Sequence, residues 1–317
     1  MHPLTGTFDP VAIVLMLFAT GFFAWARRGT AVLRSQWWCL GVAIVVWALS
    51  TLSAVAVYAP FLFWLRALQV LLLLYVVPFF LALSRPVATL RAASGSQAQQ
   101  RIDTVLNSAA ARLLLSPPVT SVLMLATPWL LYMTPWYVAS MTGPLAALTR
   151  LVLLGIGFGY FYARLQVDPV PHRYPPLMSI GISVAEGLGD GILGLVLWLG
   201  PVIAYDYYAG LHRDFGPSIR TDQTFGAGVL WVLGDVLGLP FIMLLMRAMG
   251  SDERRKAAEI DAELDAAATA APTASAASAA ESDDRAEAAV SDADREAAAP
   301  PTALWWQNDP QLRDRYR

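Results

Sequence analysis

The sequence is poor in the residues that most chemistry uses. Of 317 residues one is cysteine, one is lysine, three are histidine, and only 15% are charged. The lone Cys39 excludes a disulfide framework, a paired-thiolate metal site and a CxxCH haem attachment. Beside Trp37 and Trp38 in an apolar run, it reads as a buried thiol. The single lysine, Lys256, lies in the polar C-terminal part, so a retinal-type Schiff base within the apolar body is excluded. His2, His172 and His212 all fall outside the apolar runs, which excludes bis-histidine haem ligation inside a helical bundle. No Ser/His/Asp or HExxH constellation is present, and the chain does not read as an enzyme. A soluble domain carries about 25% charged residues. The deficit here excludes a soluble globular enzyme, a disordered chain and a nucleic-acid binder.

What is present is apolar: 56% of the residues are hydrophobic. The charge is unevenly spread. Residues 251–317 hold 15 of the 24 acidic and 8 of the 22 basic residues, which leaves the first 250 with nine acids against fourteen arginines. An apolar, slightly basic body joined to an acidic tail is the pattern of a bilayer protein with a polar appendage. The domain reading is therefore a transmembrane domain over 1–250 and a cytoplasmic tail over 251–317.

About 20 apolar residues cross the hydrocarbon core. Seven stretches meet or approach that length: 10–26, 37–59, 61–83, 118–140, 144–163, 177–204 and 224–249. The fold expected is an all-α bundle of seven transmembrane helices. The first stretch is followed, not preceded, by Arg27 and Arg28, the opposite of a cleaved signal. Arginines gather in loops 27–36, 84–117 and 164–176 and just after the last span, while 59–61 and 140–144 have none. The loop 205–223 balances Arg213 and Arg220 with Asp206, Asp214 and Asp222. This asymmetry predicts a membrane protein with the N-terminus outside and the C-terminus in the cytoplasm.

The spans are rich in glycine, as at Gly155, Gly157 and Gly159, or Gly187, Gly189, Gly191 and Gly194. Small residues let helix backbones approach in lipid, so these read as packing faces. In the tail, residues 251–265 read as a charged helix capped by Ser251, and 266–303 hold too little apolar bulk to fold. Leu304, Trp305 and Trp306 restore apolar surface suited to docking.

Five ionisable residues fall inside the spans: Arg66, Arg150, Glu186, Asp190 and Asp235. A charge at mid-bilayer costs about 2.5–3.5 kcal/mol on insertion scales, so each requires a partner or a wet cavity. The depths suggest buried pairs of Arg66 or Arg150 with Asp190 or Asp235. One reading is that such pairs lock helices together. The other is a polar cavity for an ion, a small anion or a proton relay. The arginines can alternatively snorkel to the outer interface.

The stretch 207–235 carries Tyr207, Tyr208, Asp222, Gln223, Gly228, Trp231, Gly234 and Asp235; residues 69–90 carry Gln69, Pro78 and Pro86; Asp168 and Pro169 close the fifth apolar stretch. In these residues the chain resembles the CtaG-type cytochrome c oxidase assembly family of bacterial membrane proteins. The resemblance implies a role in maturation of the oxidase copper centres, with an oxidase subunit or a copper chaperone as partner. It also implies intramembrane histidines, and here the sequence departs. Arg66, Gln69 and Val70 stand where the family has a His-x-x-Gln-His run, Arg150 and Val152 where it has a histidine pair, and Asp190 where it has one histidine. Copper(I) prefers thiolate, thioether and imidazole, whereas a guanidinium offers a metal no lone pair. An intact copper site is therefore not expected.

His2, Met133, Met141 and His212 remain as borderline ligands, with the methionines reading as gap-fillers. Asp222 and Gln223 read as helix-capping residues, with Thr221 an equal candidate for the cap, or as a partner contact. The resulting expectation is an assembly factor that binds a partner without delivering metal itself. The alternative is a small-solute or ion permease built on the Arg/Asp cavity; no internal repeat of the kind common in transporters is evident.

Overall fold

The computed structural model describes residues 9–26, 33–165 and 176–283, and every regular element among them is helical. In chain order these are α1 (Pro10–Ala26), α2 (Arg34–Leu52), α3 (Ala54–Tyr58), α4 (Phe63–Leu71), α5 (Val77–Leu83), α6 (Pro86–Ala93), α7 (Ser96–Leu106) and α8 (Ala109–Leu114). They continue with α9 (Pro117–Met133), α10 (Trp136–Ala139), α11 (Gly143–Leu165), α12 (Pro176–Leu199), α13 (Tyr205–Gly210), α14 (Ile219–Gly228) and α15 (Gly234–Asp283). Single π-helical turns, Leu72–Val76 and Val229–Leu233, join α4 to α5 and α14 to α15.

Among the described residues four helical runs are long and apolar enough to cross a membrane: Arg34–Tyr58, Phe63–Ala93, Gly143–Leu165 and Ile219–Leu244. Pro10–Ala26 is a shorter apolar helix. The contact-dense units are Met1–Arg254 and Arg255–Arg317. In the first, the α4–α5 run is central, packed against α2, α11 and α14, while α11 also packs against α9. Leu73, Leu74, Val77, Leu153, Phe161 and Leu193 form part of one buried apolar cluster.

Close packing, rather than exclusion of water, holds helices together in lipid, so backbone-to-backbone approach matters. Pro78 supplies no N–H to the carbonyl four residues earlier, Leu74. Gly157 of α11 packs at that carbonyl: a Cβ there would collide with Leu74 O and stand 2.7 Å from Pro78 Cγ. On α12, a Cβ on Gly189 would meet Leu125 Cδ1 at 2.6 Å and one on Gly194 would meet Trp231 Cβ at 2.8 Å. Gly155 and Gly159 face open space, so the packing reading holds for only part of the glycine set.

Arg85, at φ 56, ends the α4–α5 run in the left-handed region, and Pro86 restarts the helix in its first turn. The C-terminal part departs from the sequence reading. Residue 251 begins no helix; α15 runs through it from Gly234, so Ser251 is not a cap. The helix continues to Asp283, although composition argues against order from 266. Alanine, which dominates there, is the strongest helix former and supplies a local preference that does not depend on burial. Arg255 and Glu259 face each other one turn apart at 3.8 Å, both exposed. Residues 284–303 and the Leu304-Trp305-Trp306 segment lie outside the described residues.

Candidate functional site

A charge in an apolar helix needs a partner or a wet cavity, and the five ionisable residues singled out in the apolar runs lie in three places. The first is a cavity of about 80 Å³ between α12, α15, α11 and the first π turn, lined by Glu186, Asp190, Asp235, Tyr75 and Tyr160 with apolar neighbours. Its volume admits a few water molecules. Glu186 and Asp190 are four residues apart on α12 and so share one face. The Tyr75 hydroxyl donates to Asp190 Oδ2 at 2.5 Å. Arg164, from the last turn of α11, bonds both Glu186 oxygens at 3.0 and 2.9 Å, Tyr160 OH at 3.0 Å and Ser121 Oγ at 3.2 Å. Tyr160 OH also donates to Glu186 Oε2 at 2.5 Å. The guanidinium stands 4.9 Å from the Tyr160 ring centre and 5.4 Å from that of Phe241, a cation–π arrangement. Asp235 enters from α15, its Oδ1 facing Gly187 of α12.

The second place holds Arg66, which is 2% exposed. Its Nη1 donates to Gln69 Oε1 at 2.8 Å and its Nη2 to Ser140 Oγ at 2.7 Å. Gln69 Nε2 in turn reaches the Ser50 carbonyl at 2.7 Å, tying α2 to α4. Phe63, Tyr132, Tyr137 and Tyr208 form a ring cluster in the same region, with the Tyr137 and Tyr208 hydroxyls 2.6 Å apart. Burial holds the Tyr208 phenol above its ordinary range, so it keeps its proton for that bond.

The third place holds Arg150, whose Nη2 pairs with Asp9 Oδ2 at 2.9 Å. Asp9 also caps α1 by accepting from Ala12 N at 3.1 Å. The expected pairing of Arg66 or Arg150 with Asp190 or Asp235 is therefore not what forms. Tyr75, which meets Asp190, lies nine residues beyond Arg66 on one helical run, about 13 Å along the axis. Arg150 and Arg164 lie about 21 Å apart on α11 by the same rise. Nor does Arg66 snorkel, since its guanidinium is enclosed.

Asp222 and Gln223 cap helix ends other than their own. Asp222 Oδ2 and Oδ1 accept from Phe63 N and Trp64 N at 3.0 and 3.1 Å, so Asp222 satisfies the first turn of α4. Arg213 Nη2 balances its charge at 3.1 Å. Gln223 Nε2 donates to Leu197 O and Pro201 O at 2.7 and 3.0 Å, and its Oε1 accepts from Ile203 N at 2.7 Å, closing the end of α12. Arg220 adds bonds to the carbonyls of Trp198 and Gly200. The cap of α14 itself is Ser218, whose Oγ accepts from Thr221 N at 3.3 Å, and neither Thr221 nor Asp222. Trp231, on the second π turn, packs against Gly191 and Gly194, and Tyr207 OH donates to the Pro60 carbonyl at 3.0 Å. Asp168 lies outside the described residues.

Of the residues that mark the oxidase-assembly resemblance, Asp222, Gln223 and Trp231 join α4, α12 and the α14 run. A family model described as cytochrome c oxidase caa3 assembly factor matches residues 16–251. The chain belongs to that family. Uncharacterised proteins of Mycobacterium bovis and Mycobacterium tuberculosis are each 26% identical to it over 259 residues, covering 78% of this chain and 39% of theirs. An uncharacterised Mycobacterium leprae protein is 26% identical over 266 residues, covering 80% and 40%. The chain therefore spans about two fifths of the curated relatives it matches. No solved structure matches it.

Among the described residues no three His, Cys, Asp or Glu side chains stand together as a metal site. The cavity offers carboxylates beside a guanidinium, hard oxygen ligands next to a positive charge, which do not fit copper(I). Met141 is buried in the apolar cluster, Met133 is exposed, and His212 Nδ1 is 2.8 Å from the Gly210 carbonyl. His2 lies outside the described residues. Sequence reasoning missed Arg164, Asp9, Tyr75 and Ser140. Arg164 stands one residue past an apolar run and reads as a loop charge, while Asp9 precedes the first apolar stretch. The tyrosine and serine carry no signal until the helices are packed.

Proposed function

We propose that this assembly factor assists biogenesis of a respiratory oxidase by binding an assembly intermediate, without a copper site of its own. The observation that carries the reading is the family match across residues 16–251. The chemistry of the buried charges supports it: Arg66, which stands where the resemblance implies a histidine, takes neutral acceptors that tie helices together, and Arg164 pairs with the Glu186 carboxylate. The protein has no catalytic role in this account. It is a seven-helix, multi-pass protein of the bacterial cell membrane over 1–250, with the N-terminus outside and the polar 251–317 part in the cytoplasm. The arginine distribution among the loops supports that orientation. An oxidase subunit is the partner, or a copper chaperone acting on one. The permease reading draws no support from the family match.

The test is capture of the tagged full-length chain from membranes during oxidase synthesis, with subunit and metal analysis of the same sample. An oxidase subunit together with much less than one copper per chain is expected. Absence of every oxidase subunit, or one tightly held copper per chain, overturns the proposal.

A further inference from the structure

Residues 84–116 link the Phe63–Leu83 run to α9, and their short helices leave several apolar side chains exposed. In α7 the apolar residues Ala98, Ile102, Val105 and Leu106 recur at helical spacing and form one stripe, opposite Gln97, Gln100, Arg101 and Thr104. Neither α7 nor α8 contains a buried residue. Val105 is 66% exposed, Leu113 64% and Leu114 57%. The local shape is nevertheless fixed by the segment's own bonds. Arg91 pairs with Asp103 at 2.9 Å, Gln99 Nε2 donates to the Arg91 and Ser94 carbonyls at 3.0 Å, and Ser108 Oγ caps α8 through Ala111 N at 3.2 Å. Among the described residues nothing covers Val105, Leu113 and Leu114, while Ile102 and Leu106 are half-buried, so the exposed apolar edge of these helices calls for another occupant.

We propose that α7 and α8 lie in the headgroup layer of the bilayer, with Val105, Leu113 and Leu114 in the acyl chains and Arg101 and Arg112 on anionic phosphates. Two features select lipid over a protein partner or a second copy. Both ends of the segment enter helices of the membrane body, which keeps the intervening helices within reach of the surface. The segment also carries Arg85, Arg91, Arg101 and Arg112 against Asp103 alone, and Asp103 is already paired. Apolar side chains with arginines beside them bind an anionic interface through both terms, and α7 and α8 each supply one, Arg101 and Arg112. The inference rests on the multi-pass reading and not on the role in oxidase assembly.

The test uses the full-length protein in nanodiscs, with Cys39→Ser and a single reporter cysteine introduced by Val105→Cys, Leu113→Cys or, as the polar-face control, Gln100→Cys. Each carries a polarity-sensitive fluorophore. In bilayers containing phosphatidylglycerol, the fluorophores at 105 and 113 are expected to be quenched by a shallow lipid-borne quencher and several-fold less than the one at 100 by aqueous iodide. Arg101→Gln with Arg112→Gln should reduce that protection. Equal iodide quenching at all three positions overturns the proposal. So does protection that is identical in purely zwitterionic bilayers, or that vanishes when the discs hold a single copy.

Discussion

Removing either member of the Arg164–Glu186 pair takes the ionic partner from a charge that is enclosed or nearly so. Arg164 has a fully enclosed side chain and Glu186 one that is 12% exposed. Breaking such a pair from one side costs about 3–5 kcal/mol, while replacing both members with apolar residues of similar volume costs far less. Arg164→Met should therefore destabilise the protein strongly in mild-detergent unfolding, and Arg164→Met with Glu186→Leu should recover most of the loss. Arg66 and Asp190 behave differently, because they meet different partners at different depths. Charge reversal at each, alone and together, should give losses that add within about 0.5 kcal/mol, with no rescue in the double variant. Exchange of Arg150 and Asp9 should show rescue, since those two do touch. These pairings were half legible in the sequence: the need for partners followed from burial, but the partners follow from helix register.

At the scale of elements, α14 works as a joint. A helix leaves its first N–H and last C=O groups unmatched, and each buried group left without a partner costs about 1–3 kcal/mol. Asp222 satisfies the start of α4 and Gln223 the end of α12. Asp222→Ala should speed amide hydrogen exchange at Phe63 and Trp64 and loosen Arg213, whereas loss of an ordinary cap on α14 would expose Thr221 instead. The close approach of α11 to the α4–α5 run gives a second check. Gly157→Ala drives a methyl group into the Leu74 backbone and should cost about 1–3 kcal/mol, as overpacking does. Gly159→Ala, with open space at its Cβ, should be close to silent in the same unfolding assay.

For the whole molecule, the apolar runs made the helical architecture readable, because the length of a bilayer crossing is fixed by physics and not by context. Their kinks were less so: Pro78 announces a lost hydrogen bond, yet the π turn beside it depends on what α11 packs there. In the Ala-rich region after 265, α15 runs on to Asp283, because alanine favours helix locally whatever the burial; residues 284–303 lie outside the described residues. The candidate site divided the same way. Its carboxylates stood out as charges inside apolar helices, but Arg164 at the edge of α11 and Asp9 before α1 carry no such contrast. Family membership supplies what geometry alone does not, the oxidase. The most direct measurement is the reduced-minus-oxidised haem spectrum of membranes from a strain lacking this chain. The account predicts loss of the oxidase haem signal and its return when the full-length chain is restored. An unchanged oxidase spectrum in the deletion strain would contradict it.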